Sequence, residues 1–390
     1  MPCPADEREA LRPRPAELAA QPAAVQPQPL QVIGAPIPAD EVASFDVPTL
    51  GRYLRNRCYA LEAQCLANPA KTEVAGKMEP LAEPVPAARI RAEMEARTDR
   101  MLFELGDYRA YLLQAGDTPE AMRELYRLRE ETFRRIGEGT GLSQDTDKYD
   151  AYYRQMVLWN IPNREIVGAY RLGFGPEIMA SHGGVDGFYS ASLVKYGEAA
   201  PELLSKSIEL GRSFIVKKYQ REVQPLRLLL TGLAVAATKC PGSAYFSGTV
   251  SISNDIHLFY KSLIIRYLEK NYPMADAARI ATPTHPFKPD FLAVDPDGLM
   301  QIPEGQIDLL DRLIGNLSDG KYRIPVLVRK YFSGGARLVC FNVDPDFCDS
   351  LDALIFLRLS DFPKTTCRAF LRGLPDDLQK DVLQHIYGEV

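Results

Sequence analysis

The stretch SIELGRSFIVKKYQRE, residues 207–222, decides how this chain is read. Its first ten residues have the apolar content of a β-strand, whose side chains alternate between two faces. Glu209, Gly211, Ser213 and Ile215 fall on one face, and Leu210, Arg212, Phe214 and Val216 on the other. An acid and an arginine in so apolar a strand are expected to be buried, where an unpaired ion is costly. Gly211, between them, is where a β-bulge is easiest, and a bulge would swing Glu209 and Arg212 toward one cleft. The strand announces a charged site inside a sheet.

The same conflict between charge and burial recurs upstream. VGAYRL places Arg171 in a strand over 165–174, on a face shared with Val167 and Ala169. Thr118 followed by Pro119 is a helix start, and the helix is expected to run to about Gly137. Its inward stripe is Met122, Tyr126, Phe133 and Ile136, and Arg129 lies on that stripe. The nearest acids are in DTDKYD, residues 145–150. Asp147 and Asp150 are three residues apart, so one helical turn puts both on one side. A two-pronged lock between Arg129 and these carboxylates is the natural expectation.

Outward from this centre, the chain reads as one α/β domain over 88–375. RIRAEMEAR reads as a helix, 102–114 as a strand, and 154–160 as a strand joined to the next by IPNR. Beyond residue 216 come a buried helix (225–238), a strand (243–252) and an amphipathic helix (254–270). Helices in QIDLLDRLIGNL and IPVLVRKYF follow, then strands at 337–343 and 352–359 and a tail helix within 376–390. Helices interleaved with such strands imply a central mixed β-sheet flanked by helices. Residues 1–87 form a Pro- and Ala-rich extension, expected to be largely disordered apart from a short helix at 48–66.

Composition narrows the function. A formal net charge of -5 argues against a nucleic-acid partner. Seven cysteines without a CxxC pair suit a reducing compartment, and four scattered histidines offer no metal cluster. No apolar stretch is long enough to span a bilayer, so a cytoplasmic protein is expected. A peripheral membrane contact through the 48–66 helix is the alternative location.

Taken together, Arg129-x-x-x-Phe133, Asp147-x-x-Asp150, Arg171 in its strand and Glu209-x-x-Arg212 resemble a known pattern. It is that of the GNAT-like acyltransferases that use acyl carrier protein, which include the autoinducer synthases and the ornithine-lipid N-acyltransferases. IELGRSFIVKKYQRE, FSGTVSISND, FYKSLIIRYLEK, YRIPVLVRKYF and CFNVDPDF are similar to the N-acyltransferase half of ornithine-lipid synthases and related hemolysin-like aminolipid enzymes. The resemblance covers about 88–375 and implies a GNAT-like fold. The implied reaction is transfer of a 3-hydroxyacyl group from acyl carrier protein, as its phosphopantetheine thioester, to the α-amine of an amino acid. Ornithine is the first expected acceptor and glycine the second. No bound cofactor and no metal are implied.

By the same resemblance, Glu209 is the general base or the group that orients the amine, with Arg212 beside it. Tyr260 stands where many GNAT enzymes place the acid for the leaving thiol. Arg129, Phe133, Asp147, Asp150, Arg171 and Ser213 frame the substrate. Acyl carrier proteins are acidic, so Lys217, Lys218, Arg221 and Arg227 would form their docking rim. The usual GNAT pyrophosphate loop is missing after residue 216, where KKYQREVQP stands. That departure disfavours a plain acetyl-CoA donor. The alternatives are an acyl-homoserine-lactone-type synthase and a non-catalytic lipid- or carrier-binding module.

Overall fold

A computed structural model describes residues 32–66, 78–347 and 349–388 of the chain. The described N-terminal part holds helices α1 (Ala39–Ala43) and α2 (Val47–Ala60), followed by α3 (Ala87–Ala96). Strands β1 (Met101–Leu105) and β2 (Tyr108–Leu113) then lead into α4 (Pro119–Arg134). Strands β3 (Arg154–Asn160) and β4 (Glu165–Phe174) precede two short helices, α5 (Gly175–Ser181) and α6 (Ala200–Leu204), with β5 (Val194–Tyr196) between them. The decisive strand is β6 (Ser207–Ile215), followed by α7 (Val223–Ala237), β7 (Tyr245–Ile252) and α8 (Leu258–Asn271). Short elements α9 (Ala277–Ile280), β8 (Ala281–Pro283) and α10 (Pro296–Leu299) come next. The chain then runs through α11 (Ile307–Leu317), α12 (Val326–Ser333), β9 (Arg337–Asp344), β10 (Ser350–Arg358), α13 (Lys364–Leu371) and α14 (Asp376–Tyr387).

Eight strands form one mixed sheet in the order β1-β2-β3-β4-β6-β7-β10-β9. Every neighbouring pair is antiparallel except β6 and β7, which are parallel and joined through α7. A parallel pair needs such a crossover, and α7 supplies it with an almost wholly apolar sequence buried against the sheet. Helices α7, α13 and α14 share one core with β2, β3 and β4, and α3 and α4 pack with the sheet in another. Helices α8, α11 and α12 build a third core with β7, β9 and β10. The segment carrying α5, β5 and α6 contributes Phe188, Val194 and Leu204 to a fourth, with Leu354 and Phe356 of β10.

Three expectations change. The stretch 102–114 is two strands: Gly106, at φ +59°, turns the chain into a β1–β2 hairpin. Helix α4 stops at Arg134, so Ile136 lies past its end and is 47% exposed instead of facing inward. The described part of the extension is ordered: Tyr53, Ala60 and Ala63 are buried in the core that holds α8 and α11. This side of the 48–66 helix therefore packs on protein, while Leu54, Tyr59 and Leu66 stay exposed. The rest of the extension, 1–31 and 67–77, lies outside the described residues. The expected tail helix is α14, whose Val382 and Ile386 are buried in the α7 core.

Candidate active site

The expected bulge is present, one residue from where glycine suggested it. Along β4 and β6, Arg171 faces Gly211 while Ala169 faces Phe214, so β6 carries one extra residue there. That residue is Arg212, whose φ of +48° lies in the left-handed region that side chains rarely adopt. The turn sends the guanidinium toward the loop after α4, where Nε lies 3.4 Å from Asp145 Oδ2 and Nη2 lies 3.5 Å from Asp147 Oδ2.

The lock on Arg129 forms with Asp150 but not with Asp147, which pairs with Arg171 and Arg212 instead. Arg129 Nη1 and Nη2 donate to the two oxygens of Asp150 at 3.1 and 2.8 Å, and its Nε lies 3.0 Å from Asp145 Oδ2. Arg171 donates through Nη1 to Asp147 at 2.6 Å and to Asp150 at 3.3 Å. Arg129, Arg171 and Asp145 are at most 1% exposed. Burial alone would raise the Asp150 carboxyl, but Arg129 and then Arg171 outweigh it and hold the group down at about 2. The same acids outweigh burial at Arg171 and keep it charged. Three arginines therefore face three aspartates, of which Asp145 went unremarked in the sequence although it opens DTDKYD. Phe133 closes the side, its ring edge-on to Phe347 at 6.1 Å.

Glu209 is 2% exposed and saturated with donors. The backbone N–H groups of Tyr189 and Ser190 donate to it at 2.9 and 3.0 Å, and the hydroxyls of Tyr153 and Ser190 also donate. Tyr153 reaches it because Gly173, opposite Glu209 on β4, has no side chain; a Cβ there would lie 2.4 Å from the tyrosine ring. With four donors engaged, the carboxylate is placed to orient Tyr153 and the 189–190 turn. Tyr149, Tyr153 and Tyr189 crowd Arg171, whose guanidinium carbon is 5.7, 5.3 and 5.3 Å from their ring centres. None of these tyrosines, nor Ser190, stood out in the sequence.

Strands β6 and β7 pair only from Ser207 to Leu210 and then separate. Gly248, the last residue of β7 paired with β6, has φ +143°, and a Cβ there would sit 2.3 Å from the Leu210 carbonyl oxygen. Val216 N–H donates to Val167 O of β4 at 2.9 Å, so strand alternation turns the Ile215 N–H the other way, into the opening. Beside the opening, the Tyr170 hydroxyl of β4 meets the Tyr331 hydroxyl of α12 at 2.9 Å, with Ser213 next to Tyr170. Burial pushes both phenols upward, so both carry their protons at neutral pH.

Tyr260 does not reach this place. It is 1% exposed in the α8 core and its hydroxyl donates to Leu317 O at 3.0 Å, which assigns it a packing role. Lys217, Lys218 and Arg221 are exposed after β6, although Lys218 pairs with Glu165. The two lysines line a cleft of about 480 Å³ between α3, α4 and the ends of β4 and β6. Arg227 is engaged elsewhere, donating to the carbonyls of Ala369 and Phe370 at the end of α13.

A second set of polar groups, unforeseen in the sequence, adjoins the first. On β10, Asp352 sits opposite Ser251 of β7 and Asn342 of β9, and Ser350 sits opposite Asp344, so all share one face of the sheet. Asp352 accepts from Ser251 at 2.6 Å and is 3% exposed. Burial, and then the charges of Asp344 and Glu138, push it up to about 7. Burial and then Asp255 do the same to Glu138, also to about 7. Tyr189 feels Arg212, Asp352 and Asp344 together, so the two polar sets meet around it. Among the described residues no group of acids, histidines or cysteines could hold a metal ion.

Comparison with known proteins gives the chain a family. The description "Acetyltransferase (GNAT) domain" matches residues 128–230, from Leu128 beside Arg129 to Leu230 of α7. The chain is 30% identical over 320 residues to a glycine N(alpha)-acyltransferase of Bacteroides thetaiotaomicron, covering 77% of this chain and 94% of that protein. It is 29% identical over 221 residues to a protein of the same name from Phocaeicola vulgatus, covering 54% of this chain and 67% of that one. No solved structure matches the chain.

Proposed function

This chain belongs to the GNAT acyltransferases, in their aminolipid N-acyltransferase group, and from that premise we propose that it joins a 3-hydroxyacyl group to the α-amine of glycine. Its relatives are named for glycine, which supports glycine ahead of ornithine as the acceptor in this reading. The observation that carries the reading is the opening between β6 and β7, bounded by the Arg212 bulge and the Gly248 contact.

A thioester lying in that opening would set its carbonyl oxygen against the Ile215 N–H, a donor fixed before the reaction begins. Arg212 would hold the acceptor's carboxylate, and Glu209 would keep Tyr153 and the 189–190 turn in place around it. The Tyr170–Tyr331 pair supplies a protonated phenol at the opening for the departing thiolate, in the role first expected of Tyr260. The donor in this reading is acyl carrier protein, with phosphopantetheine as its arm. Lys217 and Arg221 would meet its acidic surface. No metal ion and no resident cofactor take part in these steps.

The test incubates purified protein with 3-hydroxyacyl carrier protein and, separately, glycine, ornithine, lysine, serine and S-adenosylmethionine. Mass spectrometry should find the N-acylated amino acid, with glycine the fastest acceptor. A product only with ornithine would overturn the acceptor. Equal turnover with acyl-CoA would overturn the donor. No product from any amine would overturn the reading as a whole.

A further inference from the structure

A guanidinium is flat: it gives its hydrogen bonds along the edge, in its own plane, and offers its two faces to aromatic rings. Arg212 is arranged in this way. Its guanidinium carbon lies 5.1 Å from the Tyr189 ring centre and 5.3 Å from that of Phe347. The two rings arrive from separate places, Tyr189 from the segment between α5 and β5 and Phe347 from the turn between β9 and β10. Along the edge, Arg212 reaches Asp145 and Asp147 only at 3.4 and 3.5 Å, and no hydrogen bond joins it to a described residue. Its Nε is buried without a partner. The side chain is still 12% exposed, so a ligand can reach it. Arg212 thus has hydrogen bonds left to give, and two aromatic faces bear on the place where it would give them.

Neither ring is loose. The Tyr189 N–H donates to Glu209 at 2.9 Å and to the Tyr153 hydroxyl at 3.0 Å, and the next N–H, of Ser190, donates to Glu209 at 3.0 Å. The Tyr189 ring then stands edge-on to Tyr149 at 5.5 Å. Phe347 is braced in the same manner, edge-on to Phe133 at 6.1 Å. Arg212 itself is turned by the left-handed residue of the β6 bulge, so the cation and both rings keep fixed places.

Resting on the proposed N-acyltransferase reaction, in which Arg212 holds the acceptor's carboxylate, we infer that Tyr189 and Phe347 set the size of the acceptor and restrict it to an amino acid without a side chain. A carboxylate paired two-pronged with the guanidinium edge lies in the guanidinium plane. The α-carbon lies in that plane too, about 1.5 Å beyond the carboxyl carbon. Where the amine stays near the plane to meet the thioester, the other two bonds of the α-carbon leave it, one to each side. In glycine both carry hydrogen. In every other amino acid one carries a carbon, directed to the sides on which aromatic rings face the guanidinium. Braced rings yield little, and forcing extra carbon into a packed site is costly. Glu209 and Phe133 are then positioning residues: each holds one wall in place without touching the acceptor.

The test compares wild type, Tyr189→Ala and Phe347→Ala, with 3-hydroxyacyl carrier protein as donor and glycine, L-alanine or L-ornithine as acceptor. Wild type should favour glycine over L-alanine by about 10²-fold in kcat/KM. The side chain of L-alanine meets one of the rings, so one of the two variants should cut that preference by about tenfold or more. It should do so by raising kcat/KM for L-alanine above the wild-type value, which mere damage to the fold cannot do. Tyr189→Phe, which keeps the ring, should keep the preference. Should one alanine variant fail to fold, the other decides together with Phe347→Leu, which thins its wall without emptying it. Folded variants that all hold the wild-type preference overturn this inference alone. A wild type that turns over L-alanine or L-ornithine as fast as glycine overturns it too, and leaves acyl transfer to an amine standing. A wild type silent with every acceptor overturns the functional reading as well.

Discussion

Two aspartates of this site are buried alike and titrate in opposite directions, and the difference lies in their neighbours. Asp150 receives both prongs of Arg129, and Arg171 besides, so its charged form is favoured despite burial. At Asp352 burial, with Asp344 and Glu138 nearby, outweighs the hydrogen bond from Ser251, so its neutral form is favoured. The first kind of residue was legible in the sequence, because Arg129 and Arg171 interrupt apolar stripes and must find acids, which DTDKYD supplies. Asp145 escaped because a three-residue spacing drew the eye to Asp147 and Asp150. Asp352 escaped because no cation stands near it in sequence, and Glu138 because it lies in the loop beyond α4, outside any apolar stripe. Yet Asp352 shares its alternation in LDALIFLRL with the buried Leu354 and Phe356, the same conflict in weaker form. Stability against pH separates the two. Asp352 starts from 3.8 in the unfolded chain and reaches about 7 when folded, so between those values the folded state holds a proton that the unfolded state has lost. Stability should therefore fall as pH rises through that window, by at most about 1.4 kcal/mol for each pH unit crossed. Asp352→Asn removes the titration. Its melting temperature should match wild type near pH 4 and exceed it at pH 8, by several degrees in thermal unfolding without substrate. A variant equally or less stable at pH 8 would show that the carboxylate has a protein partner.

At the scale of elements, the site depends on one strand leaving its neighbour. β6 is antiparallel to β4 throughout and parallel to β7 for only four residues, Ser207 to Leu210, before the two part. Glu209 lies before the separation and Arg212 after it, which is why two residues on opposite faces of a regular strand serve one site. The bulge was legible, since ELGRS combines charges on both faces with a glycine. That Arg212, and not Gly211, takes the left-handed conformation was not, because it follows from the register with Arg171 and Ala169. The contact at Gly248 was equally hidden: its φ and its distance to Leu210 are set by a strand thirty-eight residues earlier. Gly248→Ala is the sharper probe of this geometry. The added carbon would lie 2.3 Å from backbone that cannot rotate away, at a φ that alanine rarely takes. The variant should lose on the order of 1–3 kcal/mol of stability. Where it still folds, turnover should drop further than the lost stability explains. Wild-type turnover and melting together would mean that the separation point shifts freely, and that the opening is not a fixed feature of the sheet.

For the whole molecule, the strand and helix order over 88–375 was readable because periodic apolar runs and turn residues agree along it. The N-terminal region misled through composition: a Pro-, Ala- and Gln-rich sequence suggests too little apolar surface to fold. Helix α2 has three arginines in fourteen residues, yet it docks through a few well-placed contacts. Tyr53 is 3% exposed and stacks at 4.9 Å on Phe45, Asn56 accepts from Asp295 N–H at 2.9 Å, and Gln64 beyond the helix donates to Leu317 O at 2.6 Å. That carbonyl also accepts the Tyr260 hydroxyl, so the segment after α2 and the first turn of α8 converge on the last residue of α11. The extension is thus a wall of the core on which α8 and α11 rest, and those helices back β7, β9 and β10, the strands that present Ser251, Asp344 and Asp352. Tyr53→Ala should consequently destabilise the protein by about 3–5 kcal/mol, as expected for emptying a buried aromatic site. In an assay with glycine, its residual activity should be lost on warming well before that of wild type, at unchanged KM for both substrates. A variant with wild-type melting would return α2 to the role of a loosely tethered appendage, and would place the support of β9 and β10 entirely within α8, α11 and α12.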